Sequence, residues 1–157
     1  MMRTILLILM LVPMPGHGAD EEEINELLDG FHAAASASDF EGYFSHFAAD
    51  AYFLGTDASE RWSVSAFKAY AEPAFAAGQG WTYRVLGRNL ETRPNSETVW
   101  FDEILMNAKL GRCRGTGVVI REAGQWKIAH YSLTLLIPNS IADDVGKQSM
   151  KVEALSE

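Results

Sequence analysis

The stretch RCRGTGVVIREAGQWKIAHYSLTLLI, Arg112–Ile137, decides the fold. It holds two runs rich in Val, Ile, Thr, Tyr and Trp, Arg112–Arg121 and Gln125–Ile137. Only Glu122-Ala123-Gly124 separates them, and such a short gap with glycine at its end predicts an antiparallel hairpin. Two similar runs lie upstream, Trp81–Thr92 and Thr98–Asn107. Pro94-Asn95 and Lys109-Leu110-Gly111 supply the turns between them. The second half of the domain therefore reads as an antiparallel sheet.

The residues before Gly80 follow a different period. Asp20-Glu21-Glu22-Glu23 places acids where a helix dipole favours them. Ile24, Leu27, Leu28 and Phe31 then recur at helical spacing. Ser38 and Glu41 have capping-box spacing ahead of Phe40, Tyr43, Phe44 and Phe47. Two amphipathic helices are expected, at about 22–37 and 39–48, with the aromatic stripe as core. Ala51–Gly55 reads as a short strand. Ser63 is placed to cap a third helix carrying Phe67, Tyr70, Ala74 and Phe75, which Pro73 should kink or end. Helices followed by an antiparallel sheet make an α+β plan.

The N-terminus has its own character. Arg3, the apolar run Ile5–Val12, and small residues around Gly16–Ala19 follow the order of a secretory signal peptide. The run is shorter than the ~20 residues that span a bilayer. Residues 1–19 are therefore expected to direct export to the periplasm or medium, with cleavage near Gly18 or Ala19. The domain proper is residues 20–139, and 140–157 is a polar tail that reads as a marginal helix or a disordered segment. After cleavage no membrane association is expected. A net charge of −8 argues against nucleic-acid binding, because an acidic surface repels phosphate backbones. Cys113 is the single cysteine, so no internal disulfide forms, and it is expected to be a buried hydrophobe.

Several short motifs resemble one known superfamily. Phe47-Ala48-Ala49-Asp50-Ala51 resembles the helix-to-strand step of nuclear transport factor 2-like domains. Trp100-Phe101-Asp102-Glu103, Arg114-Gly115-Thr116-Gly117-Val118 and Trp126-Lys127-Ile128-Ala129-His130-Tyr131 resemble strand signatures of its SnoaL-like branch. The likeness runs through residues 22–139 in order. It implies three N-terminal helices packed in the concave face of a strongly bent antiparallel sheet, a cystatin-like cone that encloses a pocket. It also implies a frequent homodimer. It does not imply one activity, since the superfamily holds isomerases, cyclases, dehydratases, epoxide hydrolases and non-catalytic domains. The chain departs from the isomerases by having Leu54-Gly55 where they place a catalytic Asp. It departs from the epoxide hydrolases by offering His130 and Ser132 where they place an Asp.

Strand parity then nominates a site. A three-residue loop closed by Gly124 pairs Arg121 with Gln125, Thr116 with His130 and Arg114 with Ser132. Ala108 opposite Arg112 adds Trp100 and Asp102 to the same face and turns Glu103 away; a bulge would reverse this. Asp102, His130 and Arg114 are the expected proton-transfer group. Trp62, Trp81, Trp100, Thr116 and Ser132 are the expected ligand contacts. The opposite face, with Tyr131, Leu133 and Leu135, is the expected dimer surface. The same three polar residues also fit an internal ion-pair network without catalysis. Asp57, Glu60, Arg61 and Trp62, before the third helix, fit either a pocket mouth or a solvated loop. No metal or cofactor is expected: the remaining histidines, at 17, 32 and 46, lack ligand spacing, and no phosphate-binding glycine loop is present. The partner expected besides a second copy is a small apolar ligand. An enzyme of isomerase, dehydratase or cyclase type and a non-catalytic assembly domain are the alternatives.

Overall fold

The computed structural model describes residues 17–93 and 96–155, with side chains from residue 20 onward. The segment read as the signal run lies outside the described residues up to Gly16. The first helix, α1 (His17–Ala37), buries Ile24, Leu28, Phe31 and Ala35 on one stripe. Ser38 then takes a positive φ of 55°. It does not cap the next helix: Asp39 does, accepting the Gly42 N–H at 3.0 Å, while Ser38 Oγ accepts the Gly80 N–H at 2.9 Å. Asp39, extended (φ −80°, ψ 92°) and directly ahead of α2 (Phe40–Ser45), occupies the capping position, so the cap moves one residue on.

Strand β1 (Phe47–Leu54) is longer than expected, and β2 (Arg61–Ser63) forms where the sequence suggested loop. Ser63 caps α3 (Val64–Ala76) through the Ala66 N–H, and this helix runs three residues past Pro73 before Gly78 (φ 68°) turns the chain. The strands β3 (Arg84–Glu91), β4 (Thr98–Asn107), β5 (Gly111–Glu122) and β6 (Gln125–Leu135) follow. The tail is helical as α4 (Ala142–Glu153), with no buried residue.

The six strands form one curved sheet in the order β2-β1-β6-β5-β4-β3, with every neighbouring pair antiparallel except β1 and β6, which run parallel. Helices cover its inner face, so the α+β expectation holds. The core combines Ile24, Leu28 and Phe31 of α1, Tyr43 and Phe44 of α2, and Phe67 of α3. They pack on Phe53, Phe101, Leu105, Val119, Ile128 and Tyr131 of the strands. Cys113 is buried among them, as expected for a small hydrophobe.

The β5–β6 hairpin departs from the expected register in an instructive way. Glu122 pairs with Gln125, leaving a two-residue turn of Ala123 (φ 49°) and Gly124 (φ 81°). Ile128 pairs with Val119 but His130 with Val118, so Ala129 is an extra residue. A bulge of this kind shifts side-chain parity by one. Trp126 and Ile128 before it, and Tyr131 and Leu133 after it, consequently all face the helices. Without a bulge Trp126, Ile128 and His130 would have shared a face.

Candidate active site

The two-residue turn and the bulge together invert the expected site: the turn pairs Arg121 in place of Ile120 with Trp126, and the bulge turns His130 and Ser132 outward. Asp102, Arg114, Thr116, His130 and Ser132 do share one face with Trp100, but it is the outer face. Asp102 pairs with Thr116 and Thr116 with Ser132; Trp100 pairs with Val118 and Val118 with His130. Trp100 is 44% exposed and lies under the Arg93 guanidinium. The Asp102 carboxylate accepts from Asn89 Nδ2 at 3.2 Å and does not meet His130. Arg114 is exposed between Ile104 and Thr134. The proposed Asp102–His130–Arg114 cluster inside the cone is thus corrected, and Tyr131 and Leu133 belong to the core instead of an outward stripe.

The inward carboxylate is Glu103, fully buried. Its Oε1 accepts from His32 Nε2 at 2.7 Å and from the Tyr131 hydroxyl at 2.9 Å. Its Oε2 accepts from Arg88 Nε at 3.0 Å. Arg88 also donates to Asn25 Oδ1 (3.0 Å) and Asp29 Oδ1 (2.9 Å), tying β3 to α1. A carboxylate inside a core is costly unless its lone pairs are met, and three donors meet these. Burial raises the Glu103 pKa, but His32, Arg88 and Tyr131 together outweigh it and hold the carboxyl below its ordinary value. Burial and the adjoining Glu103 charge push the Tyr131 phenol well up, so it is a neutral donor.

Gly115 explains how Tyr131 reaches this carboxylate. A Cβ there would collide with the Tyr131 hydroxyl, and one at Gly117 would collide with the Phe101 ring. The two glycines of the Arg114–Val118 motif leave the trough in which those rings lie.

His32 and Tyr131 form part of the wall of a cavity of about 170 Å³. Phe31, Ala35, Tyr43, Phe53, Phe67 and Leu133 complete its buried part; Gly55, Thr56, Glu60, Trp62, Tyr70, Trp81, Tyr83 and Leu110 surround the more exposed part. Rings pack tightly along it: Phe53 stacks on Phe67 at 4.1 Å and Trp62 on Tyr70 at 4.5 Å. Trp62 and Trp81, two of the expected ligand contacts, line this space; Trp100, Thr116 and Ser132 do not. Glu60 and Trp62 sit at the cavity, while Asp57 and Arg61 are exposed beside it.

Sequence reasoning set His32 aside as a helix residue without metal spacing. A signal was present, since His32 follows Leu28 by four residues and precedes Ala35 by three, which puts it on the buried stripe of α1. No comparable signal marks Arg88, whose neighbours on β3 alternate only weakly in burial.

Helices over one face of a curved sheet, around a partly open aromatic cavity with a buried acid–histidine pair, define a class. The chain belongs to the SnoaL-like domain family, whose model matches residues 24–138. No functionally curated protein matches it in sequence. Among solved structures it is similar to an NTF2-like protein of unknown function from Pseudomonas putida KT2440, with 16% identity and a TM-score of 0.67, over 78% of this chain and 90% of that one. It is similar to a proposed dehydratase of the NTF2-like family from Streptomyces avermitilis, with 14% identity and a TM-score of 0.64, over 77% and 99%. A cystatin-like protein of unknown function from Nostoc punctiforme PCC 73102 has 17% identity and a TM-score of 0.62, over 80% and 97%. At these identities the likeness is one of fold.

Proposed function

We propose that this chain binds a small, largely apolar ring compound in the cavity between the helices and the sheet. The observation that carries this is the wall itself, aromatic on most sides with a few polar groups converging on it. Its volume is close to that of an engineered apolar cavity of ~150 Å³ that holds benzene. A thermal-shift screen of one-ring and fused two-ring compounds tests it, because a ligand that prefers the folded state raises the apparent melting temperature. Hits should vanish in Ala35→Trp, which fills the space. A screen without a single hit, or hits that survive Ala35→Trp, refutes this site.

One observation favours a second reading, proton-transfer catalysis, and one of the similar structures is a proposed dehydratase. Glu103 accepts the Nε2 proton of His32, which leaves Nδ1, engaged by no described residue, as a base nitrogen at the wall. His32 would take a proton from a carbon next to a ligand carbonyl and return it to a leaving hydroxyl or to a neighbouring carbon. Deuterium uptake next to the carbonyl of a bound cyclic ketone, followed by NMR, measures this step. His32→Gln should slow it by roughly 100-fold or more while the ketone still binds. Equal uptake in both proteins would leave binding without catalysis.

We also propose export of the chain and its pairing with a second copy. The three-part N-terminus supports the first. The outer sheet face, with Trp100 and Tyr52 exposed, supports the second in place of the buried Tyr131 stripe.

A further inference from the structure

Tyr43 lines the cavity from α2 and has no solvent exposure, yet its hydroxyl has no hydrogen-bond partner among the described residues. The ring is held firmly. It stacks on Phe31 at 4.6 Å and meets Trp81 edge-on at 5.8 Å. The Trp81 indole is near the hydroxyl but outside hydrogen-bonding geometry. Glu103, beside this wall, has three donors, and His32 Nε2 and the Tyr131 hydroxyl are spent on it; His32 Nδ1, engaged by no described residue, is the further polar atom there. A buried hydroxyl without a partner is destabilising, so the site holds an unmet polar demand. Burial pushes the Tyr43 pKa far above its ordinary value, so the group is a neutral phenol that both donates and accepts.

The charge of the wall narrows the choice further. Among the described lining residues there is no Lys or Arg, and Glu60 is the carboxylate present. Arg88 is turned to Glu103, Asn25 and Asp29, and Arg61, between the lining residues Glu60 and Trp62, is exposed with its guanidinium over the Tyr52 ring. A carboxylate or phosphate on the ligand would be desolvated without a cation to meet it.

We propose that the cavity selects uncharged ring compounds bearing one oxygen function, a hydroxyl or carbonyl, which pairs with the Tyr43 hydroxyl. Tyr43 is then the specificity-determining residue of the site; this rests on the ligand binding proposed above. Phenol and toluene have the same number of heavy atoms and differ in that oxygen, and benzoate adds the charge. Titration of each into the full chain and into Tyr43→Phe, by calorimetry or NMR shifts, tests the proposal. Phenol should weaken roughly 3- to 10-fold in Tyr43→Phe while toluene is unchanged or tighter. Benzoate should bind the unaltered chain at least roughly tenfold more weakly than phenol, an arm that needs no variant. Unliganded Tyr43→Phe should melt at or above the unaltered chain, since it loses only an unpaired group. Toluene bound with phenol equal in both proteins, or with benzoate as tight as phenol, overturns the selectivity and leaves ring binding standing. Failure of both phenol and toluene to bind the unaltered chain overturns the two together.

Discussion

Glu103 is placed where a carboxylate is tolerated only because three donors converge on it. Glu103→Gln keeps the shape but leaves Arg88 buried against a neutral amide. Breaking a buried pair from one side costs ~3–5 kcal/mol, which urea denaturation would measure. His32→Asn combined with Glu103→Gln should cost less than the two single losses added, by more than ~0.5 kcal/mol. Additivity would mean the 2.7 Å contact is energetically idle. The same carboxylate sets a pH dependence. Its folded pKa lies below the ordinary 4.5, so the pairing contributes fully above that value and is lost as pH falls through the lowered one. Stability should drop on acidification below about pH 4.5, and the drop should be shallower in Glu103→Gln. An identical acid limb in both proteins would assign the loss to other carboxylates.

At the scale of the element, β5 and β6 decide the site. Their turn holds Ala123 at φ 49°, a conformation an alanine adopts only with strain. Asn-Gly is the favoured pair for a two-residue turn with both φ positive. Ala123→Asn should therefore raise stability by ~0.5–1 kcal/mol in a chemical melt, without altering ligand binding at the far end of the sheet. Gly115 makes the opposite prediction. A methyl there displaces Tyr131 from Glu103, so Gly115→Ala should destabilise by roughly 1–3 kcal/mol. It should also shift the Tyr131 ring signals in NMR spectra; unchanged signals would show that the trough is looser than the packing implies.

For the molecule as a whole, the outer sheet face now carries the pairing proposal. Light scattering at micromolar concentration should give twice the monomer mass, and Trp100→Arg should shift it toward the monomer. A monomer in the unaltered chain would assign the exposed Trp100 to the Arg93 contact alone. N-terminal sequencing of protein recovered from the envelope or medium should start near residue 19 or 20, and an intact Met1 would sink export.

Apart from β2, the order of helices and strands was legible in the sequence, because periods of 3.6 and 2 and the turn glycines are local properties. The α1 stripe, the Ser63 cap and the four later strands needed nothing else. The grouping of Asp102, Arg114, Thr116 and His130 on one face was legible too, since parity survives a shift of two residues. Which face that is was not. One extra residue at Ala129 puts both Ile128 and Tyr131 inside, and a bulge has no reliable local signature beyond the burial it serves. The contact of His32 with Glu103 spans 71 positions, and Arg88 approaches the same carboxylate from another strand. Only the packing of α1 across the curved sheet brings those three together, and desolvation there, absent from any segment alone, makes the pairing compulsory.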